Sequence, residues 1–181
     1  KDEKNLGFGE GVYIGNAQSN WKSYSTCAGP DKKNGKLQPD TSDRNQILNN
    51  TFMNVSAENI DIKEGTTGGT ISGNRFNGNK LSNANFADSW IDIKGNDYKI
   101  TANSGIISQT DGFQTHVNDK SKGWGRNNVF DSNTLNTGTI PGYGINIQVN
   151  AKKNEGTGNV VRCNNTVNGA KLGLANIPCV K

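Results

Sequence analysis

The tripeptide Asp-Ile-Lys occurs twice in this chain, 31 residues apart, within residues 59–63 (NIDIK) and residues 90–94 (WIDIK). Side chains alternate between the two faces of a β-strand, so the isoleucines of both stretches would point inward and the charged residues outward. Repeats of about 20–50 residues are typical of solenoids, and apolar steps of two residues indicate strands rather than helices. The two stretches therefore predict successive turns of a β-solenoid.

Two further patterns support this prediction. Apolar and polar residues also alternate at residues 12–14, 113–116 and 145–148. Asparagines follow apolar strand residues at spacings of 24, 29, 30 and 32 residues, at Asn50, Asn74, Asn103, Asn133 and Asn165. Asn-rich turns are the alternative, but in a parallel β-helix each of these amides would donate to and accept from the Asn of the adjacent coils. The sequence thus predicts an all-β fold, a right-handed parallel β-helix of about five coils.

The 181 residues fit a single domain. Residues 17–45 break the repeat and predict a long inserted loop. Residues 163–181 predict a C-terminal tail that a Cys163–Cys179 disulfide fastens to the last coil, which leaves Cys27 without a partner. The chain enters a strand-like segment almost at once, so we expect either that N-terminal coils or a cap are missing or that a second chain covers that end. Three glycosylation sequons and the cysteines are compatible with secretion.

Charge and motif content exclude several classes of function. The net charge is +4, with 20 basic and 16 acidic residues, which is too mild for a nucleic-acid-binding protein but compatible with an acidic polysaccharide. No apolar run approaches the roughly 18 residues of a membrane span. One histidine and three scattered cysteines form no zinc motif, and residues 7–11 lack the dinucleotide-binding glycine spacing, so we expect no organic cofactor.

The outward residues of the predicted sheet form two files. Strands lie about 4.8 Å apart, which would place Lys63, Lys94 and His116 in one file and Asp61, Asp92 and Gln114 in the next. Like charges at this spacing lower the pKa of a lysine, cross-pairing raises it, and a partly neutral lysine can serve as a general base. An exposed Trp90 beside the files would offer a flat face to a sugar ring. The alternative is an Asp-Lys checkerboard that only keeps the sheet soluble.

Residues 58–63 (ENIDIK), 73–76 (GNRF) and 93–96 (IKGN) resemble the β-helical polysaccharide lyases of the chondroitinase B and alginate lyase type. In that family a Glu five residues before a Lys helps to bind calcium and the Lys is the base, which here are Glu58 and Lys63. One coil later the family has an Arg followed by His-Gly in the acid role, where this chain has Lys94-Gly95. Through residues 9–15 (GEGVYIG), 58–65 (ENIDIKEG) and 111–114 (DGFQ), the whole chain also resembles the C-terminal part of secreted right-handed β-helix repeat proteins of microbes.

The resemblance implies a secreted lyase that cleaves a uronate-containing acidic polysaccharide by β-elimination. Calcium would be held by Glu58 with Asp61 or Asp92. Lys63 would remove the proton at C5, and Lys94 or His116 would stabilise or protonate the departing oxygen. The residues expected to hold neighbouring sugars are Tyr13, Trp90, Gln114 and Asn146.

Two alternative functions remain open at this point. The same charged stripe could belong to a non-catalytic protein that binds an acidic glycan or the cell wall. A glycoside hydrolase on this scaffold would use a pair of carboxylates, for which Asp61 and Asp92 are the candidates.

Overall fold

The fold is built from three parallel sheets of five short strands each. The computed structural model describes residues 7–21, 32–33, 36–37, 39–117, 122–153 and 155–181. Sheet 1 contains β1 (Val12–Ile14), β6 (Ile60–Ile62), β9 (Ile91–Ile93), β12 (Phe113–Thr115) and β15 (Ile145–Ile147). Sheet 2 contains β4 (Gln46–Leu48), β7 (Thr70–Ser72), β10 (Lys99–Thr101), β13 (Val129–Asp131) and β16 (Val160–Val161). Sheet 3 contains β5 (Thr51–Phe52), β8 (Arg75–Asn77), β11 (Ser104–Ile106), β14 (Thr134–Ile140) and β17 (Thr166–Ala170).

The chain passes through the three sheets in turn, so that neighbouring strands of a sheet come from consecutive coils. For example, β6, β7 and β8 lie in sheets 1, 2 and 3, and β9 then returns to pair with β6. The all-β prediction is confirmed, and this stacking of parallel sheets is the arrangement that a parallel β-helix requires. Short 3₁₀ turns lie at Gln18–Asn20, Ala84–Phe86 and Ala151–Lys153. No helix in the described ranges is long and apolar enough to cross a membrane.

The core lies between the sheets and is filled by the inward residues of the strands. Ile60, Ile62, Ile91 and Ile93 of the two repeated stretches are fully buried, and each such side chain contributes about 1.5–3 kcal/mol through the removal of apolar surface from water. Aromatic rings also pack against one another across the coils. Phe52 and Phe76 are stacked with centroids 5.4 Å apart, as are Phe76 and Trp90 at 6.4 Å, and Trp90 meets Phe113 edge-to-face at 5.9 Å.

The prediction that Trp90 is exposed is wrong, because its side chain is 0% exposed and belongs to this core. Trp90 lies just before β9, at a corner where the alternation of the strand no longer determines the side-chain direction. Its indole N–H donates to the carbonyl oxygen of Ile107 at 2.7 Å. The ring occupies space that a side chain at Gly105 would need, since a Cβ there would lie 2.5 Å from the indole.

The predicted asparagine ladder is confirmed. Side-chain amides of consecutive coils are joined by Nδ2 to Oδ1 hydrogen bonds, from Asn50 to Asn74 (3.1 Å), Asn74 to Asn103 (3.0 Å), Asn103 to Asn133 (3.0 Å) and Asn133 to Asn165 (2.8 Å). Each Oδ1 also accepts the backbone N–H of the preceding Asn, and the amide of Asn103 donates to the Ile71 carbonyl at 2.9 Å. The ladder thus satisfies buried backbone groups at the corner between sheets 2 and 3.

The C-terminal tail is fastened as the sequence predicts. Cys163 and Cys179 form a disulfide with a Cα separation of 5.0 Å, and closing a loop of this size is worth about 3 kcal/mol in the chain-entropy model. Within the predicted insertion at residues 17–45, β2 (Lys32–Lys33) pairs antiparallel with β3 (Lys36–Leu37). Cys27 lies outside the described residues.

Replacement of the central ladder residue should destabilise the fold strongly. Asn103→Ala removes the acceptor that the buried backbone N–H and the side-chain amide of Asn74 share, so we expect the free energy of unfolding in urea to fall by about 3 kcal/mol. Asn50→Ala at the exposed end of the ladder is the matched control and should cost about 1 kcal/mol or less. Equal losses for the two variants would contradict the role given to the ladder.

Candidate functional site

The outer face of sheet 1 carries the two predicted files of side chains. Parallel pairing places Tyr13, Asp61, Asp92, Gln114 and Asn146 in register, each opposite the next. The pairing continues one step beyond the strands, where the backbone N–H groups of Lys63, Lys94, His116 and Gln148 donate to the coil before at 2.8–3.1 Å. The lysines and the histidine therefore form the second file, as the alternation of the sequence predicts.

A cleft of about 650 Å³ lies over these files. Seven of the ten predicted site residues line it, namely Tyr13, Glu58, Asp61, Lys63, Asp92, Lys94 and His116. The three that do not are Trp90, Gln114 and Asn146. The cleft also contains residues that the sequence analysis did not select, namely Phe8, Glu10, Phe86 and Gln148.

The lysines and aspartates of the cleft form ion pairs, both within one coil and between neighbouring coils. Asp61 contacts the ammonium of Lys63 at 2.5 Å and that of Lys94 at 3.5 Å. Lys94 also forms an ion pair with Asp92 of its own strand. His116 completes the chain of contacts, with its Nδ1 at 2.6 Å from the second carboxylate oxygen of Asp92. Both aspartates are largely buried and are engaged by these cationic groups.

These contacts fix the charges of Lys94, Asp92 and His116. Burial favours the neutral form of Lys94, but the charges of Asp92 and Asp61 outweigh it and raise the lysine pKa above its usual range. Burial likewise opposes ionisation of Asp92, yet Lys94 and His116 together hold its pKa below the usual range. The pKa of His116 is raised in turn, because the attraction of Asp92 exceeds the cost of burial. Lys94 therefore keeps its proton, and the contact with Asp92 favours the charged form of His116.

Tyr13 lies beside Lys63 at the first row of the cleft. The Lys63 ammonium sits 4.9 Å from the centre of the Tyr13 ring, a cation-π contact. Burial, reinforced by the charge of Asp61, raises the pKa of the phenol to about 12, so the hydroxyl keeps its proton at neutral pH. The cleft thus brings a lysine and a protonated phenol together.

Three carboxylates meet at the end of the cleft where strands β1 and β6 begin. Oxygen atoms of Glu10, Glu58 and Asp61 all lie within 4.8 Å of one another. Burial, with the charges of Asp61 and Asp92, raises the pKa of Glu58 to about 7. Oxygen ligands suit calcium, so the donor set fits this ion in chemistry, with Asp61 shared between such a site and two lysines. Asp92, the other predicted ligand, is bound to Lys94 and His116 instead.

Gln114 and Asn146 belong to a separate polar cluster around Asp111. The side-chain amides of both donate to the same Asp111 oxygen, at 3.0 Å and 2.9 Å, and Gln114 also donates to Asp88 at 3.0 Å. The backbone N–H of Tyr143 binds the other Asp111 oxygen at 2.6 Å. These amide N–H groups are thus engaged within the protein, and the role in sugar binding predicted for the two residues gains no support from their position outside the cleft lining.

Register alone could have identified Glu10. Val12 pairs with Ile60, so Glu10 and Glu58 occupy equivalent positions two residues before their strands. Phe8 and Phe86 lie outside the repeated strands, in the segment before β1 and in the turn at Ala84–Phe86, and no periodic pattern marks them.

Comparison with known proteins gives one informative similarity. No protein-family model matches the sequence, and no curated protein is significantly similar to it. A solved structure, that of an alginate lyase from Paenibacillus sp. str. FPU-7, superimposes with a TM-score of 0.67 and 32% sequence identity over 94% of this chain. The chain spans 50% of the length of that lyase. The stacked parallel sheets are thus those of a polysaccharide lyase-like fold.

The raised pKa of Glu58 predicts a pH-dependent cost to stability when divalent cations are removed by a chelator. The pKa is 4.5 for the free side chain and about 7 in the fold, so ionisation is unfavourable in the folded state. The cost is absent below pH 4.5, grows up to about pH 7 and is constant above it. Glu58→Gln should therefore gain about 3 kcal/mol in free energy of unfolding relative to wild type between acidic and alkaline pH, measured in urea. Parallel pH profiles would contradict the assignment.

Proposed function

We propose that this protein is a polysaccharide lyase that cleaves a uronate-containing polymer by β-elimination in the cleft over sheet 1. The observation that carries the proposal is the adjacency of Lys63 and Tyr13 within a cleft that also holds the cations Lys94 and His116. The similarity to an alginate lyase supports the reaction class and makes alginate the first polymer to test. β-Elimination needs a base for the proton at C5, a donor for the departing oxygen and positive charge near the uronate carboxylate.

Lys63 is the base in this proposal. Of the two lysines in the cleft, Lys94 is held in its charged form by two carboxylates and cannot readily accept a proton. Among the described residues, Lys63 pairs with a single carboxylate, Asp61, and acts as the base after it has given up its own proton. The amine then takes the proton from C5, the electrons form the C4–C5 double bond, and the bond from C4 to the glycosidic oxygen breaks.

Tyr13 is the proton donor to the departing oxygen. The phenol carries its proton at neutral pH, and the ring lies 4.9 Å from the Lys63 nitrogen, close enough for both groups to reach one glycosidic linkage. His116 lies two strands from Lys63, about 10 Å away, and is less suited to the same linkage. After the reaction the lysine is an ammonium and the phenol a phenolate, so a proton passing from one to the other restores the starting state.

His116 and Lys94 supply the positive charge that attracts the polymer. The His116 side chain is partly exposed to the cleft, and its contact with Asp92 favours the charged imidazolium. A calcium ion held by Glu10, Glu58 and Asp61 would offset the charge of a uronate carboxylate when bound. We further propose that the protein is secreted, which the disulfide supports, since such bonds persist in oxidising compartments.

The base assignment is tested with Lys63→Ala on a panel of alginate, pectate, glucuronan and glycosaminoglycan. Wild type should release unsaturated uronides, detected by ultraviolet absorbance, and the variant should lose about 10²–10⁴-fold in kcat. Lys99→Ala, an exposed lysine of sheet 2, is the control and should retain wild-type activity. Unimpaired activity of Lys63→Ala would refute the assignment. Glycan binding without any product would indicate a binding protein, and reducing ends without absorbance a hydrolase.

The donor assignment is tested with Tyr13→Phe, which keeps the ring beside Lys63 and removes only the hydroxyl. We expect kcat to fall about 100-fold with little change in KM, because the phenolic proton is needed only as the glycosidic bond breaks. The same loss for His116→Gln and none for Tyr13→Phe would move the donor to the histidine.

The cation site is tested by stability as well as by activity. Calcium at about 100 times its Kd should stabilise wild type by about 2.7 kcal/mol, seen as a rise in Tm over the chelated protein. Glu10→Gln should lose this rise, because it removes one ligand without touching the lysines. No calcium-dependent shift in wild type would eliminate the site while leaving the roles of Lys63 and Tyr13 intact.

A further inference from the structure

Two phenylalanines project into solvent at one edge of the cleft. Phe8 is 66% exposed and Phe86 is 83% exposed, and both line the cleft over sheet 1. They lie at the end where Glu10 and Glu58 precede their strands, away from the Lys63, Lys94 and His116 file. We call this pair of side chains the aromatic rim.

The backbone at Phe86 lies in a strained conformation. Phe86 has φ of +65° and Asn85 has φ of +52°, in the left-handed region that bulky residues rarely occupy. An 83% exposed ring gains little from burial to offset this cost. Strain that packing does not repay is characteristic of functional positions, which makes the conformation a reason to look for a ligand.

The rim is built on a hydrogen-bonded support. The backbone N–H of Ala87 donates to Ala84 at 3.0 Å, that of Asn83 donates to Ala87 at 3.1 Å, and Ala87 itself is fully buried. The Asn85 side chain reaches across to the carbonyl of Gly7 at 3.3 Å, next to Phe8. A Cβ at Gly7 would lie 2.5 Å from the Ala84 carbonyl oxygen, so glycine permits this close approach. The two phenylalanines are thus presented together by segments that contact each other.

We propose that the aromatic rim binds a pyranose ring of the uronate polymer beside the linkage that is cleaved, and so determines how long an oligosaccharide must be to bind well. The inference rests on the proposed function, since it extends the same cleft. The ligand follows from the rings themselves: two exposed phenyl faces at the edge of the cleft offer no charged or hydrogen-bonding group, and such a face packs on the apolar C–H face of a sugar ring. The cationic file at the other end binds the carboxylates of the same chain.

The test compares uronate oligosaccharides of increasing length against Phe86→Ala and Phe8→Ala. Binding is measured by calorimetry in a Lys63→Ala background, and KM and kcat are measured in the otherwise wild-type enzyme. We expect each rim variant to weaken binding of long oligosaccharides about five- to tenfold, with unchanged kcat and no effect on the shortest ones. Phe86→Tyr should bind as wild type does. The control is Met53→Ala, at a comparably exposed apolar residue that directly follows β5.

A second variant separates binding from a structural role. Phe86→Gly removes both the ring and the strain. Its Tm should therefore lie between that of wild type and about 2 °C above it, while the binding of long oligosaccharides is weakened. A ring needed for folding would instead lower Tm in Phe86→Gly and Phe86→Ala alike, which would overturn the proposal.

The outcomes distinguish this inference from the proposed function. If unsaturated products form and the rim variants bind oligosaccharides of every length as wild type does, the role of the rim is refuted and the lyase proposal is unaffected. Absence of products from any polymer, with length-dependent loss of binding in the rim variants, would refute the lyase and leave the rim as a binding element. Failure of wild type to bind any uronate oligosaccharide would overturn both.

Discussion

Parallel pairing of consecutive coils at a constant register is the constraint on which the rest of the structure depends. On sheet 1 it sets Asp61 opposite Asp92 and brings Lys94 between them. The asparagine ladder pins the same register at another corner, because a slip of one residue would leave buried backbone groups unpaired. Charges that would repel one another in isolation therefore become an alternating, mutually stabilised array under the cleft.

The position of each lysine in this array gives the two lysines different surroundings and different proposed roles. Lys94 contacts two carboxylates and is a fixed charge, whereas Lys63 lies at the edge of the array, where it contacts only Asp61 among the described aspartates and packs against the ring of Tyr13. His116 extends the array at the other side through its contact with Asp92. In the function proposed above, a uronate polymer would meet the Lys63, Lys94 and His116 file along one side of the cleft and the aromatic rim along the other.

The sequence predicts the strands, the ladder and the two files because these depend on local periodicity. The alternation around Ile60 and Ile91 predicts their strands, and the spacing of the asparagines predicts the ladder. Trp90 could not be placed in this way, since its burial depends on the absence of a side chain at Gly105 in another sheet. Phe86 lies in a turn with left-handed backbone, where no periodic rule applies. Glu10 could have been predicted from the sequence, because it occupies the same position before β1 as Glu58 does before β6.

The most direct test of β-elimination in this cleft is to digest alginate, or whichever polymer of the panel is cleaved, in water enriched in heavy oxygen and to measure the masses of the products. Elimination breaks the glycosidic bond without adding water, so each cleavage should leave an unsaturated terminus and incorporate no heavy oxygen from the solvent. Incorporation of one solvent oxygen at every cleavage, with saturated termini, would show hydrolysis and contradict the mechanism.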